Sequence, residues 1–216
     1  MADGMGGKVS VDDNAWVNVR TLDEFADLRK GQLESSSYWW PDIGPHGDTG
    51  SFSFTHRMRR LGPVTILDAD FHDDVWVNGG EIRPHYHVTV PVATPSAATG
   101  SDFSVIAETG SVVIYRPEGK AGVSRYVGRV LAVMLDRHAV EDALADALGR
   151  SVTSQIDFQP VIPTTTHAVR SWIKMVSLFT QELFRPGSVL QRCVSLAAEV
   201  ARLSQHSYRT LVANFG

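Results

Sequence analysis

The chain has 216 residues, of which 43% are hydrophobic and 20% charged, and a formal net charge of −4. This is enough for one large domain, or a domain with a helical appendage, around a sizeable core. The balance excludes a strongly basic nucleic-acid surface for the chain as a whole, and no apolar run reaches the length of a membrane span.

The N-terminal stretch, residues 1–19, reads as loosely attached; its first ten residues are Gly-rich and lack the apolar core of a signal peptide. Thr21-Leu22-Asp23-Glu24 is a capping box, and Leu22, Phe25 and Leu28 give a short amphipathic helix behind it. Residues 35–50 read as a loop holding Tyr38, Trp39, Trp40 and Pro41, aromatic enough to cover part of the fold that follows.

From residue 51 to 135 short apolar runs alternate with turn signals. Phe52, Phe54, His56 and Met58 alternate; Gly62-Pro63 breaks the run and Val64–Leu67 resumes it. Val75-Trp76-Val77 leads into Asn78-Gly79-Gly80, a tight-turn signal, and Tyr86, Val88, Val90 and Val92 alternate again. Phe103–Ile106, Val112–Tyr115 and Arg125–Leu135 complete the series, the last so continuously apolar that it reads as a central strand. Strands at this spacing predict a barrel or jelly roll.

After Leu135 the period changes to 3.6 residues. Asp136 caps a helix ending at Gly149, a second helix spans 167–184, and Ser188–Gln191 is a further capping box. The helix read from Val189 to Ser204 has two apolar rows, which need two partners. Leu190, Cys193, Val194, Leu196, Ala197, Val200 and Leu203 are therefore expected at a homodimer interface. Cys193 is the one cysteine; it cannot form an intrachain disulfide and suits a reducing, cytoplasmic setting.

Few chemical constellations emerge. Gly79 and His85-Tyr86-His87 match the opening of the metal-binding cupin pattern, Gly-x5-His-x-His. The glutamate of that pattern falls here on Pro91 or Val92, and its last histidine on Gly122. Two of four ligands are missing, so no metal or other cofactor is expected. Asp68, Asp70, Asp73 and Asp74 read as a solvated acidic loop, and Arg57, Arg59 and Arg60 as guards of a strand edge. The expected ligand is a small apolar or aromatic molecule with one polar anchor. Its contacts are expected among Trp76, Arg83, His85, Tyr86, His87, Val88, Phe103 and Ile114.

An ordered series of segments suggests a family. His85–Val92 looks like a Tyr-x-aliphatic-x-aliphatic-Pro strand, Gly110–Gly119 like a Gly-x-aliphatic…Pro-Gly strand and turn, and Val130–Glu141 like the strand-to-helix junction that follows. Leu148-Gly149-Arg150 and Ile156-Asp157-Phe158 continue the match. Over residues 20–210 the chain resembles the N-terminal cupin-like regulatory domain of AraC/XylS-type transcription factors. The resemblance implies an α+β, mainly β fold: a cupin-like barrel over residues 20–135, then a helical dimerisation subdomain over 136–208. Residues 209–216 would begin a linker to a helix-turn-helix domain absent from this chain. It further implies an effector-sensing, dimerising regulator, not an enzyme, that meets DNA only through that absent domain. The competing expectation is a metal-dependent cupin isomerase or oxygenase using His85 and His87.

Overall fold

The computed structural model describes residues 15–35, 41–47, 51–79, 85–99, 103–118, 123–152, 156, 158–165 and 167–193. The chain divides into two compact units, residues 1–165 and 166–216.

The first unit is a ten-stranded antiparallel sheet with two helices. Its strands are β1 (Val17–Val19), β2 (Asp42–Pro45), β3 (Phe54–Leu61), β4 (Val64–Asn78) and β5 (His85–Pro91). They continue with β6 (Ser96–Thr99), β7 (Ser104–Ala107), β8 (Val112–Tyr115), β9 (Val123–Asp136) and β10 (Val161–Ile162). The main path runs β1-β3-β4-β9-β5-β8-β10; β2 pairs with the far half of β4, and the β6–β7 hairpin joins β9. The expectation of a central last strand is met: β9 pairs with β4 along most of its length and with β5 and β6 on its other side.

Helix α1 (Leu22–Ser35) starts at the expected cap: the Glu24 amide donates to Thr21 Oγ1 at 3.1 Å, while Glu24 Oε2 accepts from the amide of Arg20, one residue before the cap, at 2.6 Å. It buries Phe25 against Phe52 and Phe54, with ring centroids 6.1 Å from each. Helix α2 (Arg137–Leu148) follows β9 directly. Asp136 accepts from the amides of His138 and Ala139, and Gly149 closes the helix with φ of 64°, a conformation open to glycine. The helical pattern beginning at Asp136 is thus divided, with α2 in the first unit.

The inner face of the sheet carries the core: Phe54, Leu67, Ala69, Phe71, Val75, Tyr126, Val130, Ala132 and Met134 pack together with Ile43 and Phe25. Each strand contributes alternate residues, as the two-residue period demands.

The acidic run is not a loop. Residues 68–74 continue β4, and Asp68 is 1% exposed on its outer face. Arg57, its cross-strand neighbour, donates Nε and Nη2 to Asp68 Oδ2 at 3.0 and 2.8 Å. Arg129 donates Nε to Oδ1 at 2.8 Å and Nη2 to Oδ2 at 2.9 Å. Arg57 also lies over the Trp16 ring, 4.5 Å from its centroid. A carboxylate this buried is tolerable because it accepts four charge-assisted bonds. Arg57 is therefore a structural partner, not an edge guard.

Asp73 and Asp74 occupy a bulge where three β4 residues face one of β9, between the pairs Phe71–Gly128 and Val75–Tyr126. Asp73 accepts from the hydroxyls of Ser51 and Ser53 at 2.9 and 2.7 Å, which holds its pKa below the ordinary carboxylate value. Asp74 accepts from Arg125 Nε at 2.7 and 2.9 Å, with the same effect on its pKa. The carboxylates tie the bulge to its neighbours.

The second unit contains α3 (His167–Phe184), with Val176, Thr180, Leu183 and Phe184 buried. Ser188 then caps a helical turn, accepting from the Gln191 amide at 3.0 Å, while Gln191 Oε1 accepts from the Gly187 amide at 2.7 Å.

Asp68→Ala should lower stability by about 3 kcal/mol, because two guanidinium groups lose their shared partner. Urea unfolding of the variant and the parent chain measures this; a change under 1 kcal/mol would show that the network contributes little.

Candidate functional site

The interior of the first unit holds a partly open cavity of about 50 Å³. Its wall draws on four strands and the residue before β2: Pro41 and Ile43; Leu67, Ala69, Phe71 and Val77; His87 and Thr89; Tyr126, Val130 and Ala132. The register explains the void. Leu67 pairs with Ala132 and Ala69 with Val130, so the two alanines are diagonal neighbours on one face, where neighbouring positions hold Phe71 and Met134. Volume is missing where small side chains meet.

Of the polar lining residues, Tyr126 is hydrogen-bonded to its neighbours. The Tyr115 hydroxyl lies 2.8 Å from Ser124 Oγ and 3.3 Å from the Tyr126 hydroxyl. Burial raises the Tyr126 pKa above its ordinary value, opposed by hydrogen bonds from Tyr115, Thr89 and Ser124. The His87 ring stands 6.0 Å from Tyr115 and 5.9 Å from His85, centroid to centroid. Phe54, Phe71 and Tyr126 continue the aromatic series, with centroids 5.5 and 5.9 Å apart.

The strand period separates the residues expected to contact ligand. His85, His87 and Thr89 lie on the inner face of β5, and His87 lines the cavity. Tyr86 and Val88 alternate to the outer face, where Tyr86 meets Phe158 edge-on at 5.5 Å and Val88 pairs with Ile114. Trp76 is likewise outward, seated against Gly44; a Cβ on that glycine would lie 2.5 Å from the indole. Phe103 packs on Tyr115 beside the small Ala98–Ala107–Val113 cluster. None of these five lines the cavity. Arg83, Trp39 and Trp40 lie outside the described residues.

Of the eleven wall residues, His87 alone is among the expected contacts. For Tyr126, Val130 and Ala132 a signal is present in β9, where they share one parity with Met134, hidden by the apolar residues between them. Among the described residues, no three His, Cys, Asp or Glu side chains form a group able to hold a metal ion.

Comparison with known proteins places the chain. It matches the AraC-binding-like domain over residues 34–206. The chain belongs to that family. It is 25% identical over 197 residues to a probable thc operon regulatory protein of Rhodococcus erythropolis, covering 85% of this chain and 59% of that relative. The chain thus spans about three fifths of the relative's length. Among solved structures, the AraC-like transcriptional activator CuxR shares its fold: TM-score 0.56, 12% identity, over 84% of this chain and 66% of that one. A cupin-like protein of Thermotoga maritima matches 45% of this chain and 80% of its own, at 12% identity and TM-score 0.34. The architecture is mainly β with helices, as the resemblance implied.

His56, on the inner face of β3, is 2% exposed, and burial lowers its pKa from 6.5 to about 4. The folded state therefore keeps it neutral where the unfolded chain takes up a proton. Stability is fully present above pH 6.5 and falls as pH drops towards 4, by up to about 3 kcal/mol. The losses from Asp73 and Asp74 begin only below their ordinary value of 3.8. Urea midpoints at pH 7 and pH 4.5 should differ in the parent and differ less in His56→Gln. Equal pH dependence in both would contradict the assignment.

Proposed function

We propose that this chain is the effector-sensing and dimerising part of an AraC-type transcription regulator. The observation that carries the reading is the extent of the family match, which runs through barrel and helices alike over residues 34–206. A small molecule held in the barrel would alter the helices' pairing, and DNA would be met by a domain beyond these 216 residues. The relative's name, a probable operon regulatory protein, and its greater length support that division. The setting is the cytoplasm; among the described residues no helix is long and apolar enough to cross a membrane.

Homodimerisation is proposed through the second unit. Met175, Leu178 and Phe179 of α3 are 60, 63 and 37% exposed, an apolar stripe that a twin copy would cover. Of the expected interface, Leu190 is half-buried and Cys193 exposed; Val194, Leu196, Ala197, Val200 and Leu203 lie outside the described residues.

The chain is proposed not to be an enzyme. His85 and His87 share the inner face with their rings 5.9 Å apart. Thr89 follows them on that face, and Pro91 stands where the metal-binding pattern has a glutamate.

Screening the purified chain against small uncharged metabolites tests the reading. A true effector present at one hundred times its Kd should raise Tm by about 5–10 °C. Stoichiometric iron, manganese or zinc, lost when His85 and His87 are changed to Ala, would overturn the reading in favour of the cupin enzyme.

A further inference from the structure

From the wall of the barrel cavity we infer that the effector is recognised by an uncharged alkyl group, buried over Ala69 and Ala132. The inference rests on the effector-sensing reading and names the chemistry of its site. Three observations carry it. The first is composition: Ile43, Leu67, Phe71, Val130 and the two alanines supply most of the wall, and no carboxylate, ammonium or guanidinium group lines it.

The second concerns the polar residues that remain. The Tyr126 hydroxyl bonds to Tyr115, which in turn bonds to Ser124. The His87 imidazole and the Thr89 hydroxyl also belong to wall residues, yet nearly all of the surface that faces the void is carbon. The nearest strong charges on β4 and β9, Asp68 and Arg129, point to the opposite face and neutralise each other. A charged ligand entering here would lose its hydration and meet no carboxylate, ammonium or guanidinium group. An alkyl group gains contact on every side.

The third is size. A volume of about 50 Å³ holds roughly two or three non-hydrogen atoms, against the 150 Å³ that admits a benzene ring. The cavity is partly open, so it takes the end of a molecule, an ethyl or isopropyl terminus, with the remainder outside. The sequence pattern points to a polar anchor at Arg83, His85 or His87; of these, His87 stands on the cavity wall beside the apolar residues.

Methyl-labelled protein allows a direct test, with xenon, propan-1-ol, acetate and methylammonium as probes. Acetate and methylammonium place their charge within two bonds of the methyl group, so the charge would be drawn in with it. Xenon and propan-1-ol should shift the methyl signals of Leu67, Val130 and Ala132 saturably. Acetate and methylammonium should bind at least tenfold more weakly than propan-1-ol. Ala132→Val, whose two added carbons occupy the void, should abolish the xenon response; Ile43→Val, which adds room, should retain it. Saturable acetate shifts at the same methyls, as tight as those of propan-1-ol, would overturn the alkyl inference while leaving effector sensing intact. No saturable response to xenon or propan-1-ol in the parent or in Ile43→Val would overturn it as well. The regulatory reading fails on a separate result, a metal held through His85 and His87.

Discussion

The ladder between β4 and β9 decides which side of the sheet every candidate residue occupies. Twelve registered pairs join these strands, from Val64–Leu135 to Asn78–Val123. A slip of one residue would send Leu67, Ala69, Val130 and Ala132 outward and bring Asp68 and Arg129 into the core. Register is thus enforced from both faces. Inside, the aromatic series from Phe25 through Phe54 and Phe71 to Tyr126 requires its packing partners. Outside, Asp68 requires Arg57 and Arg129. β5 inherits this parity by pairing with β9, which is why His85 and His87 face inward and Tyr86 does not.

The same ladder explains how the sheet keeps a void at its centre. Close packing normally removes voids, and small side chains at facing positions are usually offset by large neighbours. Here Ala69 and Ala132 lie diagonally across one ladder, and the surrounding strands are held too firmly to close over them. The Asp73 and Asp74 contacts fix the bulge at one end, and Gly128 is locked there with a positive φ of 74° against Ala93 and Thr94. The framework is rigid around the site, which favours binding by preorganisation over collapse.

Much of this was legible in the sequence. Strands with large alternating residues, such as Phe54–Leu61 and His85–Pro91, announced themselves, and the capping residues Thr21, Asp136, Gly149 and Ser188 act as their side chains require. Four strands did not. Val17–Val19 and Val161–Ile162 are too short to show a period, Asp42–Pro45 contains Gly44 and Pro45, and Ser96–Thr99 has no large side chain. They exist because a neighbouring strand offers its edge. The acidic run misled for a related reason: its charges are matched by arginines distant in sequence, and 61 positions separate Asp68 from Arg129. Little of the candidate site was legible. His87 was expected, while the alanines that make room were invisible, since a cavity is written in what residues lack.

The central claim is that the barrel interior, and not its outer face, receives the effector of an AraC-type regulator. Hydrogen exchange of the purified chain, with and without the small molecule that most raises its melting temperature, tests it most directly. The account predicts added protection in the amides around Leu67–Phe71, His87–Thr89 and Val130–Ala132, which enclose the cavity. Protection confined to segments remote from these strands, with their exchange unchanged, would contradict it.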